Sequence, residues 1–177
     1  IGSMFRNGCE NNVKSIDALP YVEAGPNART ADASGAATAT MPLAPMKEAD
    51  APNEELRQAW EYYHTPRAER ATAPGFATLR SVNQIITYDA YHMAEVYLTQ
   101  PLQIVAGSVA GSKWMSDDLF DRAASRDKAF HVVDGANHMD LYDGQKFVDE
   151  AVLYLAAFFQ RHLGAEAIAN RHGIAAE

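Results

Sequence analysis

The chain has 177 residues, of which 47% are hydrophobic and 21% charged, a composition typical of a folded globular protein rather than a disordered one. Its formal net charge of −8 argues against nucleic acid and anionic membrane as partners, since both attract clustered lysine and arginine. A single cysteine, Cys9, excludes an internal disulfide and a cysteine-based zinc site, and fits a reducing, cytoplasmic compartment.

The first fifty residues give weak structural signals. The chain begins at Ile1 rather than at methionine, so we expect the native start to be missing. A loose apolar pattern over residues 11–22, broken at Pro20, predicts a partial helix. Gly25–Asp50 is rich in Ala, Thr, Ser, Gly and Pro, which predicts an irregular connection, either part of a lid or a mobile surface loop.

Two helices are predicted in the middle of the chain. The first begins at Asp50-Ala51-Pro52 and ends before Thr65-Pro66, because the residue before a proline disfavours the helical region. Its predicted buried stripe consists of Leu56, Trp60 and Tyr63. The second covers Val82–Leu98. We group residues 1–100 as a helical, cap-like segment.

The pattern changes after Pro101. Predicted elements then follow in the order strand, helix, strand, helix: Leu102–Gly107, Ser116–Ser125, Phe130–Val133, and a last helix from about Asp143 to a stop at Gly164 with Val148, Val152, Leu155, Phe159 and Leu163 on one face. This order implies two parallel strands joined by a right-handed crossover. Residues 101–164 thus form a βαβα unit, and residues 165–177 a frayed tail.

The loop Asp134-Gly135-Ala136-Asn137-His138 places a histidine directly after a strand and before a long helix. A histidine there can reach a nucleophile, while the strand behind it fixes its position. Two strands do not complete a sheet that covers both faces. The other strands must come from the first hundred residues, from a partner, or from sequence outside this chain.

Together these segments resemble the C-terminal half of an α/β-hydrolase. The resemblance rests on the strand Leu102–Gly107 with its Gly107-Ser108 exit, the helix opened by Ser116-Asp117-Asp118, the strand His131–Val133, and the loop Gly135–Asp143. That loop is similar to the histidine loop of the dienelactone-hydrolase-like branch, which includes acetyl-xylan-esterase-like proteins. Residues 1–8 resemble the segment after the sixth strand, and residues 9–100 would form a cap over the active site.

The resemblance implies a serine hydrolase acting on an ester or related acyl bond of a small molecule, with His138 as general base and no cofactor or metal. The family acid sits near Gly111, where this loop has no carboxylate; Asp117 is the nearest candidate with Asp118, although both also suit helix-cap charges. Alternatively, the acid follows the sixth strand, outside this chain. Ser108 lies in a small-residue context, but we expect the true nucleophile upstream and absent.

Two further expectations concern binding. A substrate pocket is predicted from aromatic residues that would otherwise be ordinary core: Trp114, Trp60, Tyr63, Tyr88 and Tyr91. The second functional hypothesis is a non-catalytic truncated homologue, or a subunit that completes its fold with another chain or with a second copy. An exposed strand edge at Leu102–Val105 would drive that association.

Overall fold

The structure of the chain is a computed structural model, which describes residues 19–73 and 75–164. The described residues divide into two compact units, one within residues 1–92 and one within residues 93–177. Most of the helix expected over residues 11–22, and the tail expected at 165–177, lie outside the described residues.

The first unit contains short elements. In chain order they are α1 (Leu19–Ala33), β1 (Thr40–Pro42), a 3-10 turn (Glu48–Asp50), α2 (Glu54–Tyr63), β2 (Phe76–Thr78), a second 3-10 turn (Leu79–Ser81) and α3 (Val82–Thr87). Strands β1 and β2 pair antiparallel, and α1 packs against α3 and the second 3-10 turn.

The prediction of an irregular segment over Gly25–Asp50 is wrong for its first third and for β1. Helix α1 continues through Pro26, and Pro20 stands in its first turn, where a missing N–H costs nothing. Gly25 allows the helix to approach α3 closely, because a Cβ there would lie 2.6 Å from Asn83 Oδ1. Packing on a neighbour therefore outweighs the poor helix propensity of this stretch.

The position of helix α2 was predicted correctly, but the burial of its side chains was not. Asn53 caps it by accepting a hydrogen bond from the Leu56 amide at 2.9 Å, and Arg57, bonded to Glu54, lowers the pKa of that carboxyl to about 2. The buried stripe is wrong: Leu56 and Trp60 are half-buried and Tyr63 is 45% exposed.

The single helix expected over Val82–Leu98 is also wrong, because α3 ends at Thr87. The Asp89 carboxylate accepts a hydrogen bond from the Tyr91 amide at 2.9 Å, a local turn that competes with helical bonding. Met93 then adopts a left-handed backbone, with φ of 59°, and a new short helix begins after it.

The second unit is the predicted βαβα arrangement. Its elements are α4 (Ala94–Tyr97), β3 (Leu102–Gly107), α5 (Lys113–Arg122), β4 (Lys128–Val133), α6 (Asp140–Asp143) and α7 (Gln145–Leu163). Strands β3 and β4 are parallel, in a register that pairs Leu102 with Lys128 and Gly107 with Val133. This confirms the predicted parallel pair.

The two faces of this sheet carry different helices. On one face Phe130 of β4 lies 5.8 Å from the Phe120 ring of α5. On the other, His131 stacks at 3.5 Å on Tyr154 of α7 and bonds Glu150 at 2.7 Å. The strands alternate between the two helices, so each contributes to both packing layers.

Three boundaries in this unit differ from prediction. Helix α5 begins at Lys113, so Ser116 lies inside it and does not cap it. Strand β4 begins at Lys128, whose ammonium donates to the Phe120 and Ala123 carbonyls at the end of α5 and so ties the strand to the helix. Gly144 separates α6 from α7, which places the start of the long helix after Asp143. Its end at Gly164 is as predicted.

The apolar face predicted for α7 is only partly covered. Val148 and Leu155 are half-buried, whereas Val152, Phe159 and Leu163 are 52%, 51% and 58% exposed. Within residues 19–73 and 75–164, no helix combines the length and apolarity that crossing a bilayer requires.

Candidate active site

The carboxyl ends of β3 and β4 lie side by side, and the loops that follow them are bonded to each other. The Ser108 amide donates to the Val133 carbonyl at 2.9 Å, and the Val109 amide donates to the Ala136 carbonyl at 3.1 Å. The ladder of the sheet therefore continues into both loops, and the loop that carries His138 is held against the loop that leaves β3.

This contact requires a glycine at the end of β3. A Cβ on Gly107 would lie 2.1 Å from the Ala136 carbonyl oxygen and 2.7 Å from its carbonyl carbon. Ala136 is itself fully buried. The two backbones thus approach more closely than any side chain permits.

The backbone on either side of His138 is fixed by reciprocal bonds between side chains and amides. Asn137 Oδ1 accepts from the amides of Met139 at 2.8 Å and Asp140 at 2.9 Å, while the Asp140 carboxylate accepts from the Asn137 amide at 3.0 Å. This is the arrangement of a capping box at the start of a helix. Met139, which follows His138, is buried and anchors the loop to the core.

Both ring nitrogens of His138 have hydroxyl partners. Nδ1 lies 2.8 Å from Ser112 Oγ, and Nε2 lies 2.6 Å from the Tyr142 hydroxyl. The imidazole also meets the Tyr142 ring edge-on, at 5.2 Å between centroids and 87° between planes. A histidine that is hydrogen-bonded through Nδ1 and has a hydroxyl hydrogen-bonded to Nε2 is arranged to accept a proton from an alcohol.

The predicted acid is not brought to this histidine. Asp117 lies on α5, where its carboxylate bonds Lys113 Nζ at 2.7 and 3.0 Å, and Asp118 pairs with Arg122 at 3.4 Å. Both follow the i, i+4 pattern of surface ion pairs on a helix. The partner of Nδ1 is instead Ser112, one residue after the glycine near which the family acid was expected.

Ser108 has a structural role in the described geometry. Its hydroxyl donates to Asp134 Oδ1 at 3.2 Å and accepts from the Gly135 amide at 2.8 Å, so it joins the two loops. The hydroxyl is therefore bonded to a carboxylate and an amide, while both ring nitrogens of His138 bond other hydroxyls.

The predicted aromatic residues are distributed over both units. Trp60, Tyr63, Tyr88 and Tyr91 belong to the first unit, where Tyr63 and Tyr88 are 45% and 60% exposed, and Trp114 is half-buried on α5 of the second. A groove of the second unit is lined by other residues, namely Gln103, Ala129, Leu153, Tyr154, Ala157, Phe158 and Arg161. Gln103 and Ala129 lie near the amino ends of their strands, at the opposite end of the sheet from the His138 loop.

Within the part of the chain that the structure describes, no three His, Cys, Asp or Glu side chains converge as metal ligands would. No protein-family model matches the chain. It is 78% identical over 163 residues to the uncharacterized protein YcjY of Escherichia coli strain K12, a match that covers 92% of this chain and 53% of that protein.

Solved structures also resemble this chain. The crystal structure of hypothetical protein PA2218 from Pseudomonas aeruginosa matches with a TM-score of 0.74 and 21% identity, over 91% of this chain and 50% of that chain. The α/β hydrolase GrgF from Penicillium sp. sh18 matches with a TM-score of 0.60 and 15% identity, over 82% and 49%. The chain has part of an α/β-hydrolase fold. It spans about half the length of each of these three proteins.

Proposed function

We propose that the chain is part of a serine hydrolase that acts on an ester or related acyl bond, with His138 as its general base. The main support for this proposal is the environment of the His138 ring. Its Nδ1 is bonded to Ser112 and its Nε2 to the Tyr142 hydroxyl, and the ring lies at the carboxyl end of a parallel strand. Catalytic groups of open α/β sheets gather at that end. The likeness to an α/β hydrolase supports the fold, and the ring geometry supports the chemistry.

In this proposal Nε2 of His138 takes the proton of the nucleophile hydroxyl as that oxygen attacks the acyl carbon, and then gives it to the leaving group. The serine and its oxyanion amides would come from sequence outside this chain. Trp114, which lies in the same unit as His138, would supply apolar surface for the acyl group. We also propose that the protein belongs to the dienelactone-hydrolase-like branch and acts in the cytoplasm. Asp117 would have to leave Lys113 to serve as the acid.

The chain by itself should not react with a fluorophosphonate probe. Its candidate serine, Ser108, donates to Asp134, and both ring nitrogens of His138 bond other hydroxyls, so His138 does not activate Ser108. Mass spectrometry of the chain incubated with the probe should show no adduct on serine. Strong labelling that disappears in Ser108→Ala would contradict the proposal that the nucleophile lies elsewhere. The matched control is Ser34→Ala, at an exposed serine after α1 that bonds the Thr30 carbonyl.

A second candidate function is a non-catalytic subunit that completes its fold with another polypeptide. Its support is the apolar stripe of α7, formed by Val152, Ala156, Phe159 and Leu163 at helical spacing, which the described residues leave exposed. Strand β3 also pairs with β4 alone among the described residues, so its other edge can accept a strand.

The second candidate predicts concentration-dependent association of the purified chain on size-exclusion chromatography. Replacing Val152 and Phe159 together by glutamate should return the chain to a monomer, because each charge would have to be buried at the interface. Leu153→Glu is the matched control, since Leu153 is 71% exposed and lies off the stripe. A monomeric elution volume at every concentration would argue against this candidate.

A further inference from the structure

The hydroxyl partners of His138 determine which ring nitrogen carries the proton of the neutral imidazole. A serine hydroxyl can donate or accept, so the Ser112 contact alone does not determine which ring nitrogen of His138 carries the proton. A phenol is the better donor and the poorer acceptor of the two hydroxyls, because its oxygen lone pair is delocalised into the ring. The 2.6 Å contact therefore favours donation from Tyr142 to Nε2, which leaves the proton on Nδ1.

We propose that Ser112 is the positioning residue that replaces the triad carboxylate, accepting the Nδ1–H of His138 while the Tyr142 hydroxyl holds Nε2 in the place of the nucleophile. In a hydrolase the carboxylate has the same task, since it holds the proton on Nδ1 and keeps Nε2 free to act as base. The catalytic role of this arrangement rests on the proposed hydrolase function, whereas the hydrogen bonds of His138 to Ser112 and Tyr142 do not depend on that function.

The backbone around Ser112 suits it to this task. It lies in the loop between β3 and α5, and that loop is bonded through Val109 to the Ala136 carbonyl, two residues before His138. Ser112 and His138 are thus carried by two loops that share backbone bonds. When the nucleophile hydroxyl takes the place of the Tyr142 hydroxyl, the proton of the nucleophile passes to Nε2. The resulting imidazolium still donates its Nδ1–H to Ser112.

The experiment is a long-range ¹H–¹⁵N correlation spectrum of the chain labelled with ¹⁵N-histidine, at about pH 8.5, where ordinary imidazoles are neutral. Of the six histidines, His138 is assigned by the signals that His138→Gln removes. We expect the Nδ1–H tautomer in the wild type. Ser112→Ala and Tyr142→Phe should shift His138 towards Nε2–H, the form that an unconstrained histidine side chain prefers, whereas Ser112→Thr should retain Nδ1–H.

These outcomes separate positioning from a structural role. A residue that only stabilises the loop lowers stability without changing the tautomer. An Nε2–H wild type, or retention of Nδ1–H in Ser112→Ala, would overturn the proposal. No substrate or nucleophile is present in this measurement, so a failure of the hydrolase proposal in an activity assay would leave the tautomer result standing, and the reverse also holds.

Discussion

Replacing His138 with glutamine should lower ester hydrolysis by about a thousandfold, the usual contribution of a general base. The assay needs the nucleophile, so we would measure it in a chimera. In that chimera this chain replaces the 163 matched residues of the E. coli relative, to which it is 78% identical. Glutamine preserves a polar side chain of similar reach but cannot accept and return a proton. Hydrolysis of p-nitrophenyl acetate is the readout.

The matched control is His131→Gln in the same chimera. His131 lies on β4, stacks on Tyr154 and bonds Glu150, and its ring belongs to the packing between β4 and α7. Its loss should leave the turnover of the chimera within a few-fold of the parent, which isolates proton transfer from general damage. Equal activity of His138→Gln and the parent chimera would show that His138 is not the base.

Gly107→Ala should destabilise the chain by about 4 kcal/mol, more than the ~1–3 kcal/mol usual for an overpacked core. The added methyl would lie 2.1 Å from the Ala136 carbonyl oxygen, and a buried backbone cannot yield as a flexible side chain can. Because folded domains are stable by only ~5–15 kcal/mol, this change removes a large part of the total. The free energy of unfolding from urea titration measures it.

Gly135→Ala is the control for this substitution, since it adds the same methyl to the same pair of loops. Gly135 has a positive φ of 71°, but nothing lies within 4 Å of the methyl position, so only backbone strain of ~1–2 kcal/mol is expected. If both variants lose the same free energy, the close approach of Gly107 to Ala136 is not what constrains this position.

The second unit was predicted well because its local signals agree with its packing. Leu102–Gly107 is short, β-branched and closed by a glycine that the fold requires, and the strand occupies those bounds. The start of β4 was placed too late because Lys128 and Ala129 are not typical strand residues. Lys128 begins the strand because its ammonium binds the end of α5, a tertiary contact that no periodicity reveals.

The first unit was predicted poorly because its signals are ambiguous. Pro20 suggested a break and the composition of Gly25–Asp50 an irregular connection, yet α1 continues through Pro20 and Pro26 while Gly25 packs against Asn83. Val82–Leu98 has a continuous helical pattern, but the Asp89 turn and the left-handed Met93 divide it. In each case a local hydrogen bond or a neighbouring element decided the outcome.

The candidate site was found in part for the same reason. His138 could be located because strand, small residues and histidine are adjacent in the sequence. The link from Ser112 to His138 joins residues on different loops, and a serine carries no signal of its own. A hydroxyl next to the glycine where the acid was expected was the single available hint. Tyr142 was identifiable in principle, since it follows His138 by one helical turn.

The uniform register of the parallel pair has a consequence for how the chain folds. Each partner in the sheet lies 26 residues along the chain from its mate, as Leu102 does from Lys128 (128 − 102) and Gly107 from Val133 (133 − 107). All six pairs close a loop of the same size, so one crossover through α5 brings the whole ladder together. We expect the βαβ unit of residues 102–133 to form from its own contacts, so that the loop carrying His138 takes its position independently of any further strand that pairs with β3.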